Sequence, residues 1–237
     1  PVLIENVMKE WKKNPEKIQT FDDFMKLYYA EVDEAVEADY QDVVKKKATM
    51  KDQCYDPYCS LLIDGCLENG KDMLQGGSEC PMHWSVYAYG IGTVADSLCA
   101  VKKFIFDEKK ITMEEMYDAL QKNFEGYEEM QAILLKETPS YGNGIDEVDD
   151  IANDVLSHFN EAVMDLNKKA KTDKFVSTLF GYFFHIYHGE IAGATPDGRM
   201  KGEAFSDSMG PSQGRDEQGP TRLLNSCLLY TSPSPRD

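Results

Sequence analysis

Apolar residues recur at spacings of three and four along most of this 237-residue chain, which restricts it to a largely helical architecture. Phe21, Phe24, Met25, Tyr28, Tyr29, Val32, Ala35, Val36, Tyr40, Val43 and Val44 predict one long amphipathic helix reaching roughly Met50. Thr20 is placed to cap it, with Asp22 and Asp23 in the first turn, where the helix dipole favours acids. Before it, Val2, Ile4, Val7, Met8 and Trp11 mark a helix that Asn14-Pro15 ends. Tyr58 to about Gly70 and Thr93 to Phe106 predict further helices, the second apolar enough to be buried. Thr112 and Glu115 form a capping box for a helix carrying Met116, Leu120 and Phe124. Gly126 interrupts it, and Tyr127 to Lys136 continues. Val148, Ile151, Ala152, Val155, Leu156, Phe159, Val163 and Leu166 mark another long helix.

The pattern changes over Phe175–Tyr187, where Phe, Val, Thr, Tyr and Ile dominate, and one or two buried strands are expected. A turn follows at Thr195-Pro196-Asp197-Gly198, leading into Arg199. Proline fixes φ, aspartate can bond the backbone ahead of it, and glycine accepts positive φ. Gly/Ser/Asp-rich loops are expected over residues 198–222.

Hydrophobic residues make up 42% and aromatics 11%, enough for a sizeable core in one large or two small domains. The net charge is −17 and the pI about 4.6, which argues against nucleic-acid or anionic-membrane partners, since phosphate binding needs a basic face. No apolar run approaches the roughly 20 residues that span a bilayer, and no signal peptide is visible. Cysteines at 54, 59, 66, 80, 99 and 227 match no zinc or disulfide framework, so free thiols in a reducing cytoplasm are expected.

Individual constellations carry little chemistry. His185 and His188 fall in the expected strand, where i and i+3 face opposite sides, and nothing completes a metal-ligand set. Cys66 and Glu68 sit in an expected helix, where i and i+2 diverge by about 200°. Asp96, Ser97 and Lys102 lack a nucleophile elbow. Gly90-Ile-Gly92 is too short for a dinucleotide fingerprint.

Four segments taken in order go further. Gly90–Lys103, Ser140–Asn143 with Glu147–Ala152, Gly193–Glu203 and Gly210–Thr221 resemble, in that order, segments of the pyruvate formate-lyase-like glycyl radical enzymes. The resemblance implies an α/β fold: a fragment of a ten-stranded barrel of two five-stranded half-sheets wrapped in helices, mostly helical in this piece, over residues 1–226. It implies an organic glycyl radical in the full enzyme and a cysteine whose thiyl radical attacks a small-molecule substrate. A separate radical S-adenosylmethionine activating enzyme with an iron–sulfur cluster installs the radical, and the full-length enzyme is expected as a homodimer. The catalytic cysteine loop is expected upstream of Pro1 and the glycyl radical loop downstream of Ser226. Neither reactive residue, nor any bound cofactor or metal, is therefore expected in this chain. Thr195, Pro196, Asp197, Gly198 and Arg199 are expected to line or support the active site, with Arg199 supplying charge to pair with a carboxylate.

The helical insert Ile111–Leu135 resembles the dehydratase and decarboxylase branches, so a dehydratase, decarboxylase or lyase is expected. Formate C-acetyltransferase proper and a non-catalytic helical binding module are the alternatives. Three departures from the family pattern bear on the substrate. Gly76–Cys80 lacks the Tyr-Asn pair that usually follows Gly-Gly, Gly144 stands where Asp is usual, and Arg222 where Ala is usual. The last eleven residues, Cys227–Asp237, resemble translated sequencing adapter and are set apart from the fold. Alone, the chain is expected to be inactive and poorly soluble, because the apolar face of Phe175–Tyr187 lacks partners.

Overall fold

The computed structural model describes residues 1–80, 82–170, 173–179 and 181–228, with residues 51 and 52 described by backbone only. In chain order the elements are α1 (Val2–Lys13), α2 (Phe21–Gln53), α3 (Pro57–Ser60), α4 (Cys66–Asn69), β1 (His83–Tyr87), α5 (Ile91–Ala100), a π-helical segment (Val101–Asp107), α6 (Met113–Gln121), α7 (Glu128–Glu137), α8 (Asp146–Lys169), β2 (Lys174–Thr178), α9 (Phe184–Ile191) and α10 (Pro220–Leu228). β1 and β2 pair as a two-stranded sheet. No described helix is long and apolar enough to cross a membrane.

Two compact units are present. The first comprises Pro1–Glu31, Tyr87–His158 and the described residues from Leu179 onward. Its core gathers Ile4, Val7 and Met8 of α1, Phe24 and Tyr28 of α2, and Leu98 and Cys99 of α5. Phe104, Met116, Phe124, Leu134 and the α8 residues Val148, Ala152 and Leu156 complete it. The α8 residues are four apart and so share a face. The second unit comprises Val32–Val86 and Phe159–Thr178. Val32, Val36, Cys66, Val86, Val163, Leu166 and Phe175 are buried there. Asn167 fastens β2 at both backbone groups, Nδ2 donating to Phe175 O at 3.0 Å and Oδ1 accepting from Phe175 N at 2.7 Å. Tyr40 meets Phe175 edge-on at 5.4 Å between ring centroids, a favourable aromatic geometry.

The capping box at Thr112 and Glu115 forms as expected: Glu115 N donates to Thr112 Oγ1 at 3.1 Å and Thr112 N to Glu115 Oε2 at 2.8 Å. Four local expectations change. The helix expected over Tyr58–Gly70 is only α3 and α4, because Ser60 Oγ donates to Asp72 Oδ2 at 2.9 Å and Gly65 adopts φ +91°. The helix expected over Thr93–Phe106 continues past α5 with π geometry, in which Glu108 N donates to Lys103 O at 2.8 Å. Phe175–Tyr187 holds one strand, β2, and then turns into α9 instead of a second strand; Phe180 lies outside the described residues. Residues 198–222 end in α10, which Pro220 starts and which runs through Cys227. Pro81 and the tail from residue 229 onward lie outside the described residues.

Candidate functional site

The Thr195–Arg199 turn is buried within the first unit: Thr195, Asp197 and Arg199 are all enclosed, Arg199 being only 5% exposed. Gly198 N donates to Thr195 O and Thr195 N to Arg199 O, each at 3.0 Å, closing the loop on itself. Thr195 Oγ1 donates to Asp197 Oδ1 at 2.5 Å. Gly198 has φ +93°, and a Cβ there would stand 2.8 Å from Leu135 Cγ, so glycine is required by both backbone and space.

Arg199 was expected to pair with a carboxylate, but its donors go elsewhere. Nε donates to Thr195 Oγ1 at 3.2 Å. Nη1 donates to Gly189 O at 3.3 Å, Met200 O at 2.9 Å and Glu203 O at 2.6 Å, and Nη2 to Gly193 O. The guanidinium lies over the Phe205 ring, 4.4 Å from its centroid. Burial lowers Arg199 from its ordinary value, opposed by Asp197 and Glu203. The side chain thus clips backbone carbonyls from residues 189–203 into one rigid loop.

Asp197 connects this loop to helix α5 and to the segment that carries Arg215. Ser97 Oγ of α5 donates to Asp197 Oδ1 at 3.2 Å. Arg215 Nη2 donates to Asp197 O at 2.7 Å, and its Nη1 lies 3.5 Å from Asp197 Oδ2 and 3.6 Å from Asp96 Oδ2. Asp96 Oδ1 accepts from Tyr141 N at 2.7 Å. Asp96 is fully buried and its carboxyl is held well above the usual range, first by burial and second by the charge of Asp197, with the Tyr141 amide, Arg215 and the Ser212 hydroxyl opposing. Asp96 Oδ2 and Arg215 Nη1 have no hydrogen-bond partner among the described residues, so their attraction is electrostatic.

The flanking motifs lock in the same way. Asn143 Nδ2 donates to Ser140 O at 3.0 Å and Arg215 O at 2.8 Å, and its Oδ1 accepts from Gln218 N at 3.0 Å. Thr93 and Ser206 exchange reciprocal bonds, Thr93 N to Ser206 Oγ at 3.2 Å and Ser206 N to Thr93 Oγ1 at 2.9 Å. The two departures at Gly144 and Arg222 turn out to be neighbours: a Cβ on Gly144 would stand 2.9 Å from Arg222 Cδ.

His185 and His188 lie on helix α9, where i and i+3 share a flank, not on a strand. They nevertheless diverge in partners. His185 Nδ1 lies against Tyr182 O, and His188 stacks on Tyr89 at 4.9 Å. No group of three or more His, Cys, Asp or Glu side chains among the described residues is placed to hold a metal ion. Glu68 Oε2 accepts from Gly65 N at 3.1 Å, a helix-capping role. Sequence reasoning missed Asp96 and Arg215 as site residues. The available signal was a lone acid inside a helix already judged buried, which demands a partner.

Residues 5–189 match the family model described as pyruvate formate lyase-like. The chain is 37% identical over 175 residues to trans-4-hydroxy-L-proline dehydratase of Clostridioides difficile, covering 72% of this chain and 21% of that protein. It is 34% identical over 176 residues to isethionate sulfite-lyase of Bilophila wadsworthia, covering 71% and 20%. The glycerol-bound B12-independent glycerol dehydratase of Clostridium butyricum superposes with a TM-score of 0.85 at 32% identity, over 95% of this chain and 30% of that one. Together these matches define a piece of a glycyl radical enzyme fold, an α/β barrel. The chain belongs to the pyruvate formate lyase-like family. It spans about a fifth of the length of the curated relatives it matches.

Proposed function

We propose that residues 1–226 are part of the catalytic barrel domain of a longer glycyl radical enzyme that cleaves a C–O, C–N, C–C or C–S bond of a small molecule, a dehydratase or lyase being the favoured type. The observation that supports this best is the convergence of segments far apart in sequence, at Asp96, Tyr141, Asp197 and Arg215, into one buried network. A binding module has no need to hold three loops and a helix this rigidly around buried polar groups; an enzyme that excludes water from reactive intermediates does. The names of the similar proteins favour the same class. Trans-4-hydroxy-L-proline, isethionate and glycerol each carry a hydroxyl group, so the substrate proposed is a small hydroxylated compound.

Thr195, Pro196, Asp197, Gly198 and Arg199 support the site as a brace. The side chains of Thr195, Asp197 and Arg199 bond within the protein, as catalytic scaffolding requires. The glycyl radical and the cysteine it oxidises belong to segments outside this chain, and a radical S-adenosylmethionine activating enzyme supplies the radical. The longer enzyme acts as a cytoplasmic homodimer. The stretch Cys227–Asp237 is an adapter-derived tail; Cys227, in α10, donates its Sγ hydrogen to Met209 O at 3.4 Å.

The test is to recover the complete gene and express its product without oxygen beside its activating enzyme. A glycyl radical doublet by electron paramagnetic resonance is expected, together with turnover of one of trans-4-hydroxy-L-proline, isethionate or glycerol. Absence of both radical and product sinks the proposal. Formate release from pyruvate and coenzyme A would assign formate C-acetyltransferase instead.

A further inference from the structure

Within the first unit, the start of α1, the end of α9 and the segment after it line a cleft of about 400 Å³. Val2, Ile191 and Ala192 form its aliphatic side, and Tyr89 and Phe205 its aromatic side. Tyr89 stacks on His188 at 4.9 Å, and Phe205 carries the Arg199 guanidinium 4.4 Å from its ring centroid, so both rings are held in place. A narrow crevice that shares Val2, Glu5, Ala192 and Gly193 with the cleft leads on to Thr195 and Pro196.

Glu5 is the acidic side chain at the junction of cleft and crevice. Its Oε1 is engaged: Gln121 Nε2 donates to it at 2.9 Å, and Lys9 Nζ lies 2.7 Å away. Its Oε2 accepts no hydrogen bond among the described residues and faces Gly193, where a Cβ would stand 3.6 Å from it. Burial raises the Glu5 pKa, but the bonds from Lys9 and Gln121 and the charge of Lys9 outweigh it and hold the carboxyl below its ordinary value. At neutral pH the group is therefore a carboxylate, and Oε2 only accepts. Lys9 already balances its charge, so the partner that fits Oε2 is a neutral donor and not a second cation. A largely apolar cleft with one free acceptor suits a small molecule that offers a hydroxyl and a face of C–H groups.

Resting on the function proposed above for the class of compound, we infer that this cleft receives a small neutral hydroxylated molecule, one hydroxyl of which donates to Glu5 Oε2. Gly193 is then a specificity-determining position: having no side chain, it leaves open the space through which the hydroxyl reaches that oxygen.

Binding to the full-length protein, not activated, tests this, with glycerol as the probe and a saturation-transfer NMR titration as the readout. Saturable transfer to glycerol is expected. Gly193→Ala should weaken binding about fivefold or more, the loss of one hydrogen bond to a charged group. The φ of Gly193 is not positive, and the one non-neighbouring atom of the described residues within 4 Å of a Cβ there is Glu5 Oε2, so the added methyl obstructs that oxygen alone. Glu5→Gln, which replaces the charged acceptor by a neutral amide, should weaken binding about three- to tenfold. Each variant is first checked to melt within about 3 °C of the parent, and where one fails that check the other decides. A parent that gives no saturable transfer, as a cleft filled by residues preceding Pro1 would, overturns the inference. So does a well-folded variant that binds within twofold of the parent. Propan-1-ol should bind more tightly than propylammonium, and equal or reversed affinities overturn the choice of a neutral donor. Absence of radical and turnover would sink the proposed function and leave these binding results standing.

Discussion

Arg199→Lys keeps a positive charge, yet it should cost as much as a large core truncation. The guanidinium reaches Thr195 Oγ1 on one side and the carbonyls of Gly189, Gly193, Met200 and Glu203 on the others. An ammonium places three donors around one point and cannot span that arc. At least two buried carbonyls should therefore lose their donor. Each such loss costs roughly 1–3 kcal/mol, and the stacking on Phe205 adds about 0.5–1 kcal/mol. Gly189 O also accepts from Gly202 N at 3.3 Å, so it is not fully orphaned, and a total near 3–4 kcal/mol is the better figure. For a domain of this size that corresponds to about 6–16 °C in Tm. The assay is thermal unfolding followed by near-ultraviolet circular dichroism, paired with amide hydrogen exchange. The amides of Thr195 and Gly198, which close the turn, should exchange at least tenfold faster in the variant. A lysine variant that melts within 3 °C of the parent, with both amides still protected, refutes the brace.

Three other outcomes are expected. Gly198→Ala should destabilise by roughly 2–4 kcal/mol, combining left-handed strain with the approach to Leu135, and Leu135→Ala should return part of that in a urea-denaturation cycle. Asp96 has a folded-state pKa above its unfolded value, so its contribution is most favourable below the ordinary carboxyl range and is lost as pH rises toward the folded value. Asp96→Asn should therefore gain stability relative to the parent as pH is raised from about 4 to 8, and a constant difference across that range would contradict the assignment. Gly144→Ala should cost about 1–2 kcal/mol alone and at least 0.5 kcal/mol less in an Arg222→Ala background, because the two residues touch; additive effects would show that they do not.

Much of the helical frame was legible in the residues. Thr112 and Glu115 announce a capping box because each satisfies the other's backbone donor, a purely local device. The stripe on α8 likewise needs only its own spacing. The run before the Thr195 turn misleads for a physical reason. Its Phe, Tyr and Ile residues favour strands on average, but tertiary contacts override propensity. Gly181 and Tyr182 turn the chain, Phe205 N bonds His185 O, and the segment closes into α9. α10 carried a usable sign, Pro220 at its first helical position, hidden within a Gly/Ser/Asp tract. The Thr195–Gly198 turn was readable from four residues, whereas its partners were not. Arg215 meets Asp96 across more than a hundred residues, and only the folded chain brings them together.

The π segment Val101–Asp107 has a bearing on how the chain tolerates changes of length. Each π turn closes over one more residue than an α turn. Upstream, Asp96 and Ser97 are fixed by Tyr141 and Asp197; downstream, Thr112 fixes the start of α6. Between these anchors the helix stores a spare residue, so a single deletion there can be absorbed by reverting to α geometry. The same deletion in α5 would rotate Asp96 by about 100° and unseat the buried charges. Insertions and deletions in relatives should gather in the first stretch and avoid the second.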